Sequence, residues 1–493
     1  MKEYNIPLWA HESKDNVKDF DFLGFTLQYE MSYTNVLNML SLADIPLRAA
    51  ERGEEFPIVI GGGPCAYNPE PVADFFDLFN IGEGESLLVE IVRLYIKMKD
   101  EGRYNKADFL HEAAATIPGV YVPSLYNVEY NGDGTIKAYT PVYDDVPKTV
   151  IKRIVEDLDK APFPDYAIMP YTEVVHDRIM LEVFRGCIRG CRFCQAGIIY
   201  RPVREKTPDV LNEQAKCIFE NTGYEEISLS SLSISDYTGL PELTDKLLDW
   251  TQENMVSFSL PSLRVDSFTK ELMEKVASVR SSSLTFAPEA GTQRLRDVIN
   301  KNVFEDDLMR AVNVAFDSGK TQVKLYFMQG LPTETEEDLA AIPALAKSVI
   351  EAFYANPNRN RAKSPQVTFS VSPFIPKPFT PFQWEPQDTL DVIKEKQEFI
   401  GKCVTDRKIK YQHHEAEICC MARGDRRLAP ALELACQEGF KFDAWSEYFN
   451  FDKWMSVFER SGVDPAFYAN RRYSYDEVLP WDIIDCGVTK EFL

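Results

Sequence analysis

Three cysteines stand within eight positions, Cys187, Cys191 and Cys194, in the segment LEVFRGCIRGCRFCQAG from Leu181 to Gly197. They follow directly on an apolar stretch that reads as a strand, and in a parallel α/β barrel the loop beyond a strand's carboxyl end is where sites are built. Three thiolates on a cubane iron-sulfur cluster leave one iron without a protein ligand, open to chelation by a small molecule. Zinc is the rival, but a closed zinc site takes four ligands, and no second C-x-x-C or paired histidine lies near; His176 is upstream on the strand side. A purely structural or electron-transfer cluster wants a fourth cysteine, and none is close in sequence. The chain has ten cysteines in 493 residues, the others scattered, which is no disulfide framework and fits a reducing compartment.

The elements that must position this loop are legible from pattern. After a Pro-containing connector, DKAPFPDYAIMP (Asp159 to Pro170), come six strand-like runs. They lie near Ile179 to Phe184, Glu226 to Ser230, Val256 to Leu260, Ser283 to Ala287, Gln322 to Met328 and Val367 to Val371. Each but the last is followed by a helix-like segment, which implies parallel strands and right-handed crossovers, and an open (β/α)6 partial TIM barrel over residues 171–400. Upstream, residues 1–125 predict a small, incomplete α/β domain. Its strands are FLGFT (Phe22 to Thr26), PIVIGGG (Pro57 to Gly63) and FDLFNIGEGE (Phe76 to Glu85), and its helices run over Tyr33 to Leu47 and Ser86 to Met98. Residues 126–170 read as a β segment, with a turn at Asn131-Gly132-Asp133-Gly134, and the connector. Residues 401–493 read as a mostly helical C-terminal domain.

Composition narrows the function classes. The sum of 54 Lys and Arg against 77 Asp and Glu gives −23, which opposes the broad basic surface that free nucleic acid needs. No stretch approaches the apolar length of a membrane span and no signal peptide is readable, so a soluble cytoplasmic protein without a membrane partner is expected.

With these residues in view, the chain resembles the radical S-adenosylmethionine (SAM) superfamily, whose C-x-x-x-C-x-aromatic-C motif is intact as Cys187, Cys191, Phe193 and Cys194. The resemblance covers roughly Val175 to Phe382, and the cysteine motif is its most specific part. It implies that the three thiolates hold a 4Fe-4S cluster and that SAM chelates the open iron. Reductive cleavage would then yield a 5′-deoxyadenosyl radical. Phe193 would lie against the adenine. FAPEAGTQRLR (Phe286 to Arg296) resembles the segment whose acidic residue contacts the nucleoside, pointing to Glu289; YFMQGLPTETEEDL (Tyr326 to Leu339) resembles the G-x-P-x-E-T turn that supports the adenine, pointing to Gly330 and Pro332. Thr333 with Glu336 also fits a helix capping box there. Arg264, in LPSLRVDSF, is a candidate partner for the methionine carboxylate or a surface ion pair. The family's Gly-Gly-Glu turn is absent. SLSSLSISDY (Ser228 to Tyr237) stands in its place, and Ser231, Ser233, Ser235 and Asp236 are all candidates to replace its contacts. No catalytic residue is assigned.

The N-terminal segment, with PIVIGGGPCAYNPEP and IGEGE, resembles part of the cobalamin-binding domain of one branch of the superfamily, and the whole chain resembles an uncharacterised group with that domain degenerate. Cobalamin without a protein axial ligand and a vestigial sheet are both open, since the Asp-x-His-x-x-Gly motif is absent and His11 and His111 sit in unrelated contexts. Relatives tend to carry a cysteine-rich tail, so a partial member is expected. His413, His414, Cys419, Cys420, Cys436 and Cys486 raise an auxiliary cluster against plain packing. RGDRRL (Arg423 to Leu428) and NRRY (Asn470 to Tyr473) raise a phosphate or RNA contact against solvated charge. Arg185, Arg189, Arg192, Arg201, Arg204 and Lys206 would raise the cluster's potential and steer an acidic substrate or a donor such as flavodoxin or ferredoxin. Methyl or methylthio transfer to RNA or a ribosomal component is the finer expectation; a non-catalytic metal- or RNA-binding assembly factor that keeps the barrel as scaffold is the alternative.

Overall fold

The computed structural model describes residues 1–4, 6–164, 166–172, 174–259, 284–414 and 419–493. The chain divides into two compact units, Met1–Val155 with Pro376–Gln387 and Ile418–Leu493, and Glu156–Ile375 with Asp388–Glu417.

The first unit opens with the expected small sheet. β1 (Phe22–Thr26), β2 (Ile58–Gly62) and β3 (Leu78–Asn80) run parallel, and a short β4 (Val120–Tyr121) closes the edge antiparallel to β3. Apolar runs bounded by turns make these strands, and Ile58, Val59, Leu78 and Phe79 are almost fully buried. The helices between them are Tyr33–Leu42 and Gly84–Asp100. β5 (Tyr126–Tyr130) and β6 (Ile136–Pro141) pair as a hairpin across the Asn131–Gly134 turn, and β7 (Val150–Ile151) follows.

The second unit carries the barrel. β8 (Ile179–Glu182) leads into the cysteine loop, whose ends β9 (Phe184–Arg185) and β10 (Arg204–Glu205) pair antiparallel. β11 (Glu226–Ser230) and β12 (Ser257–Ser259) complete a parallel sheet of order β12-β11-β8. A second parallel sheet has the order β13-β14-β15-β16, from Leu284–Glu289, Gln322–Gln329, Gln366–Pro373 and Ile409–His413. All six strands expected of the open barrel are present, and β16 is a seventh that pattern reading placed in the C-terminal domain.

Alternation along the strands explains the packing. Val323, Leu325 and Phe327 of β14, Val367, Phe369 and Val371 of β15, and Ile409 of β16 join Leu339, Ile342, Ala346 and Val349 of the helix Glu336–Ala355 in one core. With a period of two, the residues between them face away from that helix. Full burial of each such Leu, Val or Phe contributes roughly 1.5–3 kcal/mol.

The structure divides the chain otherwise than at residues 125, 170 and 400. Residues 401–414 belong with the barrel through β16, while the helices Ala429–Gln437 and Phe451–Ser461 belong with the N-terminal sheet. Buried groups explain this. Glu70, fully buried, accepts from Arg426 at 2.9 Å, and Thr34 donates to Asp443 at 2.5 Å. Near the C-terminus β17 (Ile484–Asp485) pairs parallel with β7. Among the described residues no helix is long and apolar enough to cross a membrane.

Candidate active site

The cysteine loop is held at both of its flanks. Gly186 leaves β9 at φ 89°, and a Cβ there would come within 2.8 Å of the Pro202 carbonyl oxygen, so the crossing of the loop's two ends requires glycine. Arg189 donates in bidentate fashion to Asp236, beyond β11, with Nε at 2.9 Å. On the other side Arg192 donates its backbone N–H to the Ile299 carbonyl at 3.0 Å and its guanidinium to that of Val298 at 2.6 Å, and Asn300 Nδ2 donates to the Gly190 carbonyl at 2.8 Å. The loop is thereby pinned to the segments that follow two other strands, β11 and β13.

Within it the three thiols are all partly exposed and unoxidised. The Cys191 carbonyl accepts from Cys194 N at 3.1 Å, and Cys187 Sγ accepts from Arg189 N at 3.4 Å. Burial pushes the Cys194 thiol up, the Gly197 N–H draws it down, the charges of Cys191 and Cys187 raise it further, and Lys301 opposes them. The three sulfurs therefore feel one another. Among the described residues no three His, Cys, Asp or Glu side chains stand in metal-holding geometry, so the thiols share a loop and a field without sharing a coordination sphere. As a donor set they fit an iron-sulfur cluster by chemistry: three soft thiol ligands on one loop.

Glu289 sits at the end of β13 beyond a bulge, at φ 69°, a left-handed conformation that costs a carboxylate residue on the order of 1–3 kcal/mol and marks sites. Its Oε1 accepts from Lys301 Nζ at 3.0 Å, both side chains largely buried, and the same ammonium lies 5.9 Å from the Phe193 ring centroid. Two of the expected groups, Phe193 and Glu289, therefore meet around one lysine. Sequence reasoning missed Lys301; its only signal was a position twelve residues beyond Glu289 across a predicted helix.

Gly330 and Pro332 lie in the turn after β14. Gly330, at φ 80°, donates its N–H to Glu334 Oε1 at 2.8 Å, and a Cβ on it would come within 2.8 Å of Asp388 Oδ2. Lys396 bridges Glu334 at 2.8 Å and Asp388 at 2.7 Å. Burial pushes the Glu334 carboxyl up against the pull of Lys396. The capping box is Thr335 with Asp338, not Thr333 with Glu336. Thr333 is left-handed at φ 65°, whereas Thr335 is extended, accepts from Asp338 N and donates its own N–H to Asp338 at 2.9 Å. Asp338 also accepts from Thr292 and Arg294, so one carboxylate ties the turn after β13 to the turn after β14. Gly291 completes that junction: its Cβ would meet the Asp338 carbonyl at 2.5 Å. Arg264 lies outside the described residues.

The serine-rich loop also resolves. Asp236 is taken by Arg189, while the hydroxyls of Ser231 and Ser233 are buried without a partner among the described residues. A buried hydroxyl so placed asks for a ligand or a water.

Several charged segments have other work. Arg185 pairs with Glu182, Arg201 caps the Gly197 carbonyl, and Arg204 and Lys206 are nearly buried, so these cations build the loop and offer little to an acidic partner. Arg423, fully buried, stacks 3.9 Å from the Tyr473 ring centroid; Arg426 pairs with Glu70, Arg427 with Asp425, Arg471 with Glu477 and Arg472 with Glu385. In RGDRRL, Arg423 is held by backbone carbonyls and Arg426 and Arg427 by ion pairs, while in NRRY Arg471 is paired and half-buried and Arg472, also paired, stays largely exposed to solvent. His111 bonds Asp145 at 2.9 Å and stacks on Tyr143. Cys419, Cys420 and Cys486 are buried, and burial raises the Cys420 and Cys486 thiols.

Comparison with known proteins gives the family. Residues 181–346 match the family model of the radical SAM superfamily and residues 1–123 that of radical SAM proteins, N-terminal. The chain belongs to the radical SAM superfamily and is a radical SAM enzyme. It is 30% identical over 472 residues to uncharacterized protein MJ0966 of Methanocaldococcus jannaschii, spanning 94% of this chain and 91% of that one. Threonylcarbamoyladenosine tRNA methylthiotransferase MtaB of Treponema pallidum is 24% identical over 199 residues, 38% of this chain and 39% of its own. A solved structure of the radical SAM methyltransferase TsrM from Kitasatospora setae, with cobalamin and a 4Fe-4S cluster bound, aligns with TM-score 0.49 at 12% identity, over 90% of this chain and 88% of that one.

Proposed function

We propose that Cys187, Cys191 and Cys194 hold a 4Fe-4S cluster and that the groups around Lys301 seat the SAM nucleoside beside it. When bound, the cluster supplies the electron that splits SAM into methionine and a 5′-deoxyadenosyl radical, for which a flavodoxin or ferredoxin is the proposed donor. The chain's own part is positional. Phe193 offers a ring face to the adenine, Glu289 accepts from the ribose hydroxyls, and Gly330 and Pro332 shape the adenine's edge. Lys301 neutralises Glu289 and fixes it toward Phe193. Ser231 and Ser233 offer lone pairs to the methionine ammonium, and Arg264 is assigned to its carboxylate.

The observation that carries this reading is the double anchoring of the cysteine loop, together with the approach of its Phe193 to the Lys301–Glu289 pair. For the reaction that follows, methyl or methylthio transfer is the working reading, supported by the likeness to a tRNA methylthiotransferase. RNA as acceptor rests on that likeness, since Arg426 and Arg471 are tied to Glu70 and Glu477.

Cobalamin fits less well. A doubly wound sheet holds its ligand beyond the carboxyl ends of the strands. Here Gly63, just past β2, abuts Leu27 so closely that a Cβ would stand 2.9 Å from its carbonyl oxygen, Tyr67 packs on Phe379, and Lys377 pairs with Glu30 at 2.8 Å. The protein's own segments take up that edge, and no step is drawn through cobalamin.

The test is SAM cleavage by the anaerobically reconstituted, dithionite-reduced protein. Formation of 5′-deoxyadenosine, abolished by Cys194→Ala, supports the enzyme; iron binding with no such product points to the scaffold reading.

A further inference from the structure

The face of the second sheet that turns away from its helices is polar in an ordered way. Strand register aligns Lys324 of β14 with Thr368 of β15 and Lys410 of β16, and the next row on the same face holds Tyr326, Ser370 and Gln412. The intervening residues, Leu325 and Phe369, are in the helix-backed core, so these two rows must face the other way. Adjacent strands lie about 4.8 Å apart, which sets the two lysine backbones roughly 10 Å apart across Thr368. Their flexible four-carbon stems let both ammoniums close on one group between them.

Charge gives the class of that group. In a chain of net charge −23, neither row contains a carboxylate, and among the described residues neither Lys324 nor Lys410 has an acidic partner. Lys324 Nζ instead leans over the Tyr326 ring, 4.9 Å from its centroid, toward the carboxyl ends of the strands. Ser370, almost fully buried, holds His414 at 3.3 Å from the same face. The carboxyl end of β14, which Gly330 follows, lies roughly 17 Å along the strand from the lysine row.

We infer that Lys324 and Lys410, across Thr368, bind an oxyanion of the substrate, a phosphate or a carboxylate, and so hold its far end while the reacting position points toward the cysteine loop. This rests on the radical-enzyme reading for its meaning but not for its measurement. Lysine ammoniums paired on one oxyanion form charge-assisted hydrogen bonds, and loss of both weakens binding about tenfold or more.

The experiment uses the full-length, cluster-free protein and two probes, glycerol 3-phosphate and succinate, titrated by isothermal calorimetry into wild type, Lys324→Met/Lys410→Met and, as a control on the outer face of the helix Leu390–Cys403, Lys394→Met/Lys402→Met. Methionine keeps most of the apolar stem, and matching thermal midpoints establish that the variants fold. Saturable binding of either probe by wild type and the control, weakened tenfold in the inner-face variant, supports the site; the preferred probe identifies the anion. No saturable binding of either, or equal binding by all three proteins, overturns it. Because no cluster is present, either outcome leaves the SAM-cleavage reading to its own test.

Discussion

Lys301 is bonded to Glu289 and lies over Phe193, two of the groups assigned to the nucleoside, and its role separates from simple packing by chemistry. Lys301→Ala leaves Glu289 charged, poorly solvated and free to turn from Phe193, so the KM for SAM in 5′-deoxyadenosine formation rises about tenfold or more. Lys301→Arg, which keeps the charge, recovers most of it. An alanine variant with unchanged KM and only a lower thermal midpoint would make Lys301 a packing residue. The cysteines were legible in the sequence because their chemistry lies in local spacing. Lys301 and Asn300 were not, and Arg192 was legible only as a cation beside the cluster, because their partners are set by a fold that brings the segment after β13 against the loop after β8. The unpartnered Ser231 and Ser233 belong to the same category: sequence named four equivalent candidates, and burial separated them.

The turns after β13 and β14 act as one element, joined by Asp338. Burial pushes this carboxyl up, but hydrogen bonds from Thr292, Arg294 and Thr335 outweigh it and hold it below its ordinary range. A carboxylate lowered on folding contributes stability that is complete above its unfolded value of about 3.9 and is lost as pH falls through the folded value. Asp338→Asn therefore lowers the thermal midpoint at neutral pH and flattens its fall on acidification below about pH 4; parallel acid limbs for both proteins would show that the carboxylate carries no such linkage. Loss of the cap by Thr335→Ala costs about 1 kcal/mol in chemical denaturation, and a cost near zero would contradict the capping geometry. Two overlapping Thr-x-x-acid patterns stood in the sequence, and the wrong one was chosen because nothing in the letters shows that Thr333 is left-handed and held there by Arg294. β16 was missed for a related reason: five residues of which only Ile409 is buried carry little periodic signal, and the strand exists because β15 offers it an edge.

At the scale of the whole chain, each of the two units is assembled from distant stretches, and this was the least legible feature. Asn68 donates to the carbonyls of Ala422 and Gly424, and Arg426 reaches Glu70, across more than 350 positions. Local pattern carries no record of such pairs, so the sequence read a separate C-terminal domain. Arg426→Ala leaves Glu70 buried with Tyr121 as its side-chain donor among the described residues, which costs about 3–5 kcal/mol. Chemical denaturation of the full chain should show that loss in the first unit, read through Trp454 and Trp481, both buried there. A change under about 1 kcal/mol would mean that the C-terminal residues are not integral to it. The barrel strands, by contrast, were nearly all found from periodicity, because burial on one face of a strand is written into every second residue.

The central claim is tested most directly by iron and electron paramagnetic resonance measured on protein reconstituted without oxygen. The account predicts about four irons per chain, a reduced-state signal that changes when SAM is added, and loss of both in the Cys187→Ala/Cys191→Ala/Cys194→Ala variant. Equal iron in the triple variant, or a signal indifferent to SAM, would contradict it.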